Sequence, residues 1–245
     1  MDRAASLQPL EEQGHRGLQL SVLVQSPGVR HLFGLRGSRP LEVLAEYFGV
    51  RHDQVATIRQ VHGDSIWVTD SPAGGDYDAV VTNRPGLVIT VRTADCLPIL
   101  IWDEHQKVVA AVHAGWRGSL KAIASKTVFM MQSHFGSRPQ DLLVGIGPAV
   151  GPCCYEVDGP VLRPLRERFD FWREVVRQKG PDKGMLDLPA LNVRQLIGSG
   201  VPSERITVAG ACTVCHPERF QSYRRDGHSG NGMISGIMVC PVKNG

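Results

Sequence analysis

The sequence has little net charge. Its 27 basic and 24 acidic side chains leave a formal net charge of only +3 over 245 residues. Lys and Arg are scattered, and no run of five or more of them occurs. Proteins that bind nucleic acid usually concentrate basic side chains in a patch or stripe. We therefore expect no nucleic acid partner.

Long apolar runs are also missing. The longest span five to seven residues, whereas a helix that crosses a bilayer needs about 20. The N-terminal segment MDRAASLQPLEEQGHRG lacks the apolar centre of a secretory signal peptide. These absences predict a cytoplasmic protein without a membrane partner.

Six cysteines are too few to suggest a disulfide framework in a chain that can bury its own core. Cys212 and Cys215, in CTVC, have the spacing of half a zinc ribbon, and either the adjacent Cys153 and Cys154 or Cys240 would have to complete four ligands. Buried small thiols are the simpler interpretation, and we favour it.

The hydrophobic pattern predicts one mixed α/β domain over residues 18–245, with sheets covered by helices, after a flexible tail over residues 1–17. A first strand is predicted at 18–24, and a short helix at 40–48 that Gly49 stops. Further β-type runs lie at 55–58, 66–68, 79–81, 87–91, 97–102, 108–113 and 141–147, and near Ile206 and Ile234. Later helices are predicted from Ser119, over 158–169 and over 188–198.

Three side chains of metal-ligand type lie at the ends of predicted strands. Cys96 begins one strand, His113 ends the next, and His62, in RQVHGDS, comes just before another. Two histidines and one thiolate form an open zinc site, and zinc lowers the pKa of its water to roughly 7. Spacing alone also allows a packed cysteine and satisfied core histidines.

The segment GWRGS joins a strand to a predicted helix. Backbone N–H groups at a helix N-terminus favour anions such as phosphate, and Arg117 would add a bidentate contact. Ser119 is the predicted cap of this helix. The alternative is a capped helix with a surface arginine.

With these residues identified, the sequence resembles the bacterial laccase-domain family, also called the YfiH or peptidoglycan-editing-factor family, which has a purine-metabolising relative in mammalian immune cells. The resemblance runs from Gln60 to the C-terminus. Its segments are QVHGD, YDAVVTNRPGLVITVRTADCLPIL, VVAAVHAGWRGS, VGIGPAVGPCCYEV, LDLPALNVRQLIGSGV and ACTVCHPERFQSYRRDG. It implies a cysteine-hydrolase-like, layered α/β fold.

The resemblance also implies an activity and a site. The activity is phosphorolysis of adenosine, inosine and methylthioadenosine, with hydrolytic deamination of adenosine, so the partners are a purine nucleoside and phosphate. The implied zinc ligands are His62, Cys96 and His113. The segment HLFGLRGSRPLEVLAEYFGV keeps a comparable His31, Phe33, Arg36 and Gly37 but lacks the family's S-L-N portion, which puts any contact of that portion in doubt.

Within this interpretation we assign roles to the remaining candidates. Arg36, Arg117 and the helix start at Ser119 are expected to bind phosphate. Asp95 is expected either to transfer protons, as a carboxylate does beside the metal in zinc deaminases, or to orient a ligand histidine. We favour the orienting role slightly.

Other chemistries stay open. Nine histidines without a His-x-His pair do not suit a multicopper oxidase, although a single Cu²⁺ in the same site would give weak polyphenol oxidation as a side activity. A metal-independent hydrolase would use Cys96 as nucleophile and His113 as base on a cell-wall precursor. A closed structural zinc, with Cys153 or Cys154 as the fourth ligand, is the non-enzymatic alternative.

Overall fold

Two six-stranded sheets lie at the centre of the computed structural model, which describes residues 7–12, 15–37, 41–70, 74–227 and 232–241. The strands are β1 Leu7–Glu12, β2 His15–Leu20, β3 Val29–Gly34, β4 Val55–Ala56, β5 Ile66–Val68, β6 Ala79–Thr82, β7 Val88–Thr93, β8 Leu97–Asp103, β9 Val108–Ala114, β10 Leu142–Ile146, β11 Glu156–Asp158, β12 Val176–Gln178, β13 Lys183–Leu186, β14 Ile206–Val208 and β15 Met233–Val239. One sheet has the order β1-β2-β3-β15-β7-β4, and the other β14-β10-β8-β9-β6-β5. A third, small sheet has the order β11-β13-β12.

Eight α-helices lie among the described residues. They are α1 Ser21–Val24, α2 Leu41–Phe48, α3 Trp116–Leu120, α4 Ile123–Phe135, α5 Gly159–Arg168, α6 Trp172–Val175, α7 Leu188–Gly198 and α8 Tyr223–Asp226. Of these, α2, α4 and α7 pack on the outer faces of the two large sheets. Short 3₁₀ turns lie at His52–Gln54, Pro139–Asp141 and Ser203–Arg205. None of the described helices is long and apolar enough to cross a membrane.

The central strands β8 and β9 are buried on both faces, and their alternate residues point to different cores. Leu100 and Trp102 pack toward the first sheet, together with Val109 and Ala111 of the neighbouring strand. The intervening positions, such as Ile99, face the helix layer. These runs are continuously apolar because they have no solvent-exposed face.

The layers confirm the predicted α/β class, with mixed sheets covered by helices. Residues of α3, α4, α5 and α7 share one core with the second sheet. On the far side, Leu44 and Phe48 of α2 pack against Val88 and Ile234 of the first sheet. Most strands predicted from residue 55 onward agree with the structure to within two residues at each end.

The N-terminal segment differs from the prediction. The sequence predicts a flexible tail over residues 1–17, of which residues 1–6, 13 and 14 lie outside the described part of the chain. In the described part, β1 pairs antiparallel with β2, and β2 pairs with β3. The pattern is polar because β1 is an edge strand, and Leu18 and Leu20 provide the buried anchor. The strand predicted at 18–24 ends at Leu20, and α1 follows it.

Candidate metal centre and adjoining cavity

The three predicted metal ligands meet at one end of the space between the large sheets. Antiparallel pairing of β8 with β9 sets Pro98 opposite His113, so that Cys96 lies beside the histidine. The side chain of His62 arrives from the loop before β5, with its Nδ1 4.0 Å from the Sγ of Cys96. One ligand atom from each of the three residues lies within 4.8 Å of the others.

The backbone of the His62 loop is held by one buried carboxylate, that of Asp78. Its Oδ1 accepts a hydrogen bond from the N–H of His62 at 3.0 Å, and its Oδ2 accepts from the N–H groups of Gly63 at 2.6 Å and Val61 at 3.3 Å. His62 has a φ of 58°, a conformation that costs a residue with a side chain of the order of 1–3 kcal/mol. The three bonds offset that strain and aim the imidazole at Cys96.

The same carboxylate orients His113. Oδ1 of Asp78 lies 2.7 Å from Nδ1 of His113, and the two side chains are 0% and 3% exposed. Because Nδ1 is engaged, Nε2 is the ring nitrogen left to bind a metal. Sequence reasoning missed Asp78, although an acidic residue directly before the fully buried run of β6 was a usable signal.

The environment of these groups favours a thiolate at Cys96. Burial opposes ionisation of the thiol, but hydrogen bonds and charge from His113 and His62 outweigh it and lower the pKa of Cys96 to about 6. Burial also opposes the charged form of His113, while Asp78 and Cys96 raise its pKa to about 9. Burial alone would raise the pKa of Asp78, but bonds from His113 and from backbone N–H groups lower it.

A cradle for a small ion lies between the three ligands and the backbone of Gly115. A Cβ at this position would lie 3.0 Å from the Sγ of Cys96 and 3.2 Å from the Nδ1 of His62. The φ of −75° at Gly115 is open to any residue, so space rather than backbone conformation requires glycine here. Two imidazoles and one thiolate around such a space fit a zinc ion with an open fourth position.

The predicted orienting role of Asp95 is wrong, because Asp78 makes that contact. The Asp95 carboxylate turns instead to the C-terminal part of the chain, where it accepts from Thr213 Oγ1 at 2.6 Å and from the N–H of Arg224 at 2.7 Å. Its φ of 85° marks a second strained backbone position next to the ligand Cys96.

The predicted cap at Ser119 is also wrong. Helix α3 begins at Trp116 after Gly115, so Ser119 lies inside it and is fully buried. The Oγ of Ser119 accepts a hydrogen bond from Nδ2 of Asn192 at 2.9 Å. A buried hydroxyl with this partner is not available to a phosphate in solution.

The two predicted phosphate-binding arginines differ in their surroundings. The guanidinium of Arg117 is exposed and lies over the Trp116 ring, 4.2 Å from its centroid. Within the described residues it has no ion-pair partner. The guanidinium of Arg36 is engaged with Asp226 at 2.9 Å. Arg117 is therefore the better placed cation for an incoming anion.

A cavity of about 330 Å³ opens beside Trp116. Tyr155 and Arg224 line it, and the Arg224 guanidinium lies over the Tyr155 ring at 5.1 Å from its centroid. Lys183 also lines the cavity, as do the acidic residues Glu156 and Asp158. The aromatic rings suit a flat base, and the cations offer contacts to an anionic group. Sequence reasoning missed Tyr155 and Arg224 as site residues, because nothing local links them to His62 or Cys96.

Comparison with known families and proteins identifies relatives of this chain. The sequence model of the family described as multi-copper polyphenol oxidoreductase laccase matches residues 38–240. The chain is 36% identical over 163 residues to a purine nucleoside phosphorylase of Bacteroides thetaiotaomicron, an alignment that covers 66% of this chain and 60% of the relative. It is 35% identical to purine nucleoside phosphorylase YlmD of Geobacillus stearothermophilus, covering 79% and 75%. Adenosine deaminase RL5, from an unknown prokaryotic organism, is 33% identical over 79% of this chain and 78% of its own.

Solved structures share the whole fold. Bacillus licheniformis hypothetical protein YfiH superposes with a TM-score of 0.85 at 25% identity, covering 97% of both chains. YlmD from Geobacillus stearothermophilus also gives a TM-score of 0.85, at 27% identity, covering 94% of this chain and 98% of that protein. The layered fold of this chain is thus common to several solved structures.

Proposed function

Since the chain belongs to the family described as multi-copper polyphenol oxidoreductase laccase, whose curated relatives include phosphorylases and a deaminase, we propose that it is a zinc-dependent purine nucleoside phosphorylase with adenosine deaminase activity. Its substrates are adenosine, inosine or methylthioadenosine, together with phosphate. One observation carries the proposal: His62, Cys96 and His113 form a cradle against Gly115, and the next residue, Trp116, lines a cavity that also offers the Tyr155 ring and two cations.

In phosphorolysis, an oxygen of phosphate forms a bond to the anomeric carbon of the ribose, and the bond from that carbon to the purine nitrogen breaks. The base leaves with the electron pair and takes up a proton, and the second product is ribose 1-phosphate, or its methylthio analogue when the substrate is methylthioadenosine. We assign Arg117 and Arg224 to the phosphate, because both guanidinium groups lie at or near the cavity. Trp116 and Tyr155 offer ring faces to the purine.

His62, Cys96 and His113 would hold the zinc ion, which supplies Lewis acidity and activates water for attack on purine C6 in deamination. Asp78 engages Nδ1 of His113, so Nε2 would be the ring nitrogen that binds the metal. For proton transfer Asp95 remains our candidate, since it is the carboxylate next to Cys96 in sequence. Metal binding requires that Cys96 stay a reduced thiol, which is consistent with a cytoplasmic enzyme.

Copper in the same cradle is a separate proposal for a weak polyphenol oxidase side activity. His62 and His113 with Cys96 are ligand types that copper accepts as readily as zinc. Within the described residues, however, this is the only ligand group that contains histidine. A multicopper centre would need many more imidazoles, so we assign the main activity to zinc.

The test compares metal-quantified wild type with Cys96→Ala in reactions that contain adenosine, with and without phosphate. Chromatography resolves adenine, inosine and hypoxanthine. We expect phosphate-dependent adenine and phosphate-independent inosine from zinc-loaded wild type, and neither from Cys96→Ala. Cys240→Ala is the matched control, because Cys240 lies outside both groups of ligand-type residues. Zinc-loaded wild type that consumes no nucleoside would refute the proposal.

One observation favours a second candidate. Asp78, His113 and Cys96 lie in the order of a carboxylate–imidazole–thiolate triad, so they also suit a metal-independent hydrolase that acts on an amide of a cell-wall precursor. Measuring activity after a chelator has removed the zinc distinguishes the two functions. The triad hydrolase keeps its activity after zinc is removed, whereas the phosphorylase loses it.

A further inference from the structure

Four cysteines gather at a second place, away from the cradle of His62, Cys96 and His113. The sulfurs of Cys153, Cys154, Cys212 and Cys215 all lie within 4.8 Å of one another. The Sγ of Cys215 is 3.5 Å from that of Cys153 and 3.5 Å from that of Cys154. All four are free thiols.

Burial of small thiols, the interpretation favoured by the sequence, does not account for this group. Only Cys212 is buried; Cys154 is half-buried, and Cys153 and Cys215 are exposed. An apolar packing role requires burial, and two exposed thiols contribute little to a core. Cys240, the other candidate considered, lies outside the group.

The topology of the second sheet explains how residues 61 positions apart in sequence meet. Strands β10 and β14 are parallel neighbours, so their C-terminal extensions run side by side. A bridge between Ala149 and Cys212 continues the pairing, and the N–H of Thr213 donates to the carbonyl of Ala149 at 3.0 Å. Each extension then turns and presents two thiols.

The local geometry resembles a thiolate metal site in two respects. Four sulfurs bonded to one zinc at about 2.3 Å form a tetrahedron with edges of about 3.8 Å, close to the two separations of 3.5 Å. The N–H of Gly151 also donates to the Sγ of Cys212 at 3.3 Å. A Cβ at Gly151 would lie 3.3 Å from the Sγ of Cys153, so the backbone approaches the sulfurs closely.

We propose that Cys153, Cys154, Cys212 and Cys215 bind one Zn²⁺ as a closed structural site, in addition to the ion held by His62, Cys96 and His113. Zinc is the metal that closed four-thiolate sites of this kind most often hold. The ion would connect two exposed turns that are distant in sequence, in place of buried apolar contacts between them.

This second ion also supports the catalytic end of the protein. The N–H of Val150 donates to the carbonyl of Asp95 at 3.0 Å, and Thr213 Oγ1 donates to its carboxylate at 2.6 Å. Both donors lie on the turns that carry the thiols, and Tyr155 of the cavity directly follows Cys154. Fixing the turns therefore fixes Asp95, the neighbour of Cys96, and one wall of the cavity.

Metal analysis of purified protein tests the proposal without reference to any activity, and the loss of one zinc from Cys153→Ser/Cys215→Ser relative to wild type tests it whether or not the first site holds zinc. We expect two zinc ions per chain in wild type, one in Cys96→Ala, one in Cys153→Ser/Cys215→Ser and two in Cys240→Ser. In hydrogen exchange, the double variant should exchange faster at residues 149–155 and 211–216, with no change in Leu97–Asp103.

A second measurement covers the case in which the double variant does not fold. X-ray absorption at the zinc edge of Cys96→Ala, where only the second ion remains, should show four sulfur ligands at about 2.3 Å. The proposal is overturned by one zinc per chain in both wild type and double variant, by iron instead of zinc at the four thiols, or by a disulfide between Cys153 and Cys215.

Discussion

The carboxylate of Asp78 lies 2.7 Å from Nδ1 of His113, and both side chains are buried. Through its other bonds the same carboxylate holds the loop that carries His62. One acidic side chain thus positions two of the three residues of the candidate metal centre.

Asp78→Asn should weaken zinc binding. An amide of the same shape keeps one oxygen for the loop N–H groups but loses the charge that supports His113, and the loss of such a partner typically costs 10–100-fold in metal affinity. Competition with a chromophoric chelator measures the effect. Asp76→Asn is the matched control, because Asp76 is exposed and pairs with Arg59 on the surface. Equal zinc affinity in both variants would contradict the assigned role.

Gly115→Ala should abolish metal binding while the fold persists. The added methyl occupies the space between Cys96 and His62, where a Cβ would approach Sγ to 3.0 Å, and the backbone conformation suits alanine. Zinc content and circular dichroism report the two effects separately. Gly198→Ala at the end of α7 is the control, since nothing lies within 4 Å of its Cβ. We expect it to keep its zinc and to be as stable as wild type or up to about 1 kcal/mol more stable.

The thiol of Cys96 should react at an unusually low pH once zinc is removed. Burial opposes its ionisation, but His113 and His62 lower its pKa to about 6, whereas burial raises the pKa of Cys240. Alkylation by iodoacetamide, followed by peptide mass spectrometry over a range of pH, should give a midpoint near 6 for Cys96 and a midpoint above the ordinary thiol pKa for Cys240.

His113→Asn removes the main partner of that thiolate, so the alkylation midpoint of Cys96 should move up toward the ordinary value. Zinc added back to wild type should protect Cys96 from alkylation, because the metal takes the thiolate as a ligand. Coincident midpoints for Cys96 and Cys240 in chelated wild type would show that the histidines do not stabilise the thiolate.

The sequence was sufficient to predict that His62, Cys96 and His113 come together, because they lie near the ends of runs whose apolar pattern marks strands, and strand ends can share a sheet edge. It did not reveal Asp78, because its contact with His113 depends on antiparallel pairing of β6 with β9. Tyr155 and Arg224 reach the cavity through still longer connections. The error at Ser119 has a local cause: α3 begins three residues earlier, at Trp116, so the capping residue is Gly115.

The phosphate contact can be tested with two arginines that have the same kind of aromatic neighbour. Arg117 lies over the ring of Trp116, which lines the cavity. The guanidinium of Arg173 lies over the ring of Trp172, 4.5 Å from its centroid, and neither residue lines the cavity. Arg117→Ala should raise KM for phosphate about 10-fold or more, as expected when a charge-assisted contact of about 1.5–3 kcal/mol is lost. Arg173→Ala should leave it unchanged. Deamination uses water rather than phosphate, so its kcat/KM should change less in Arg117→Ala than that of phosphorolysis. An equal loss of both activities would mean that Arg117 contacts the nucleoside rather than the phosphate.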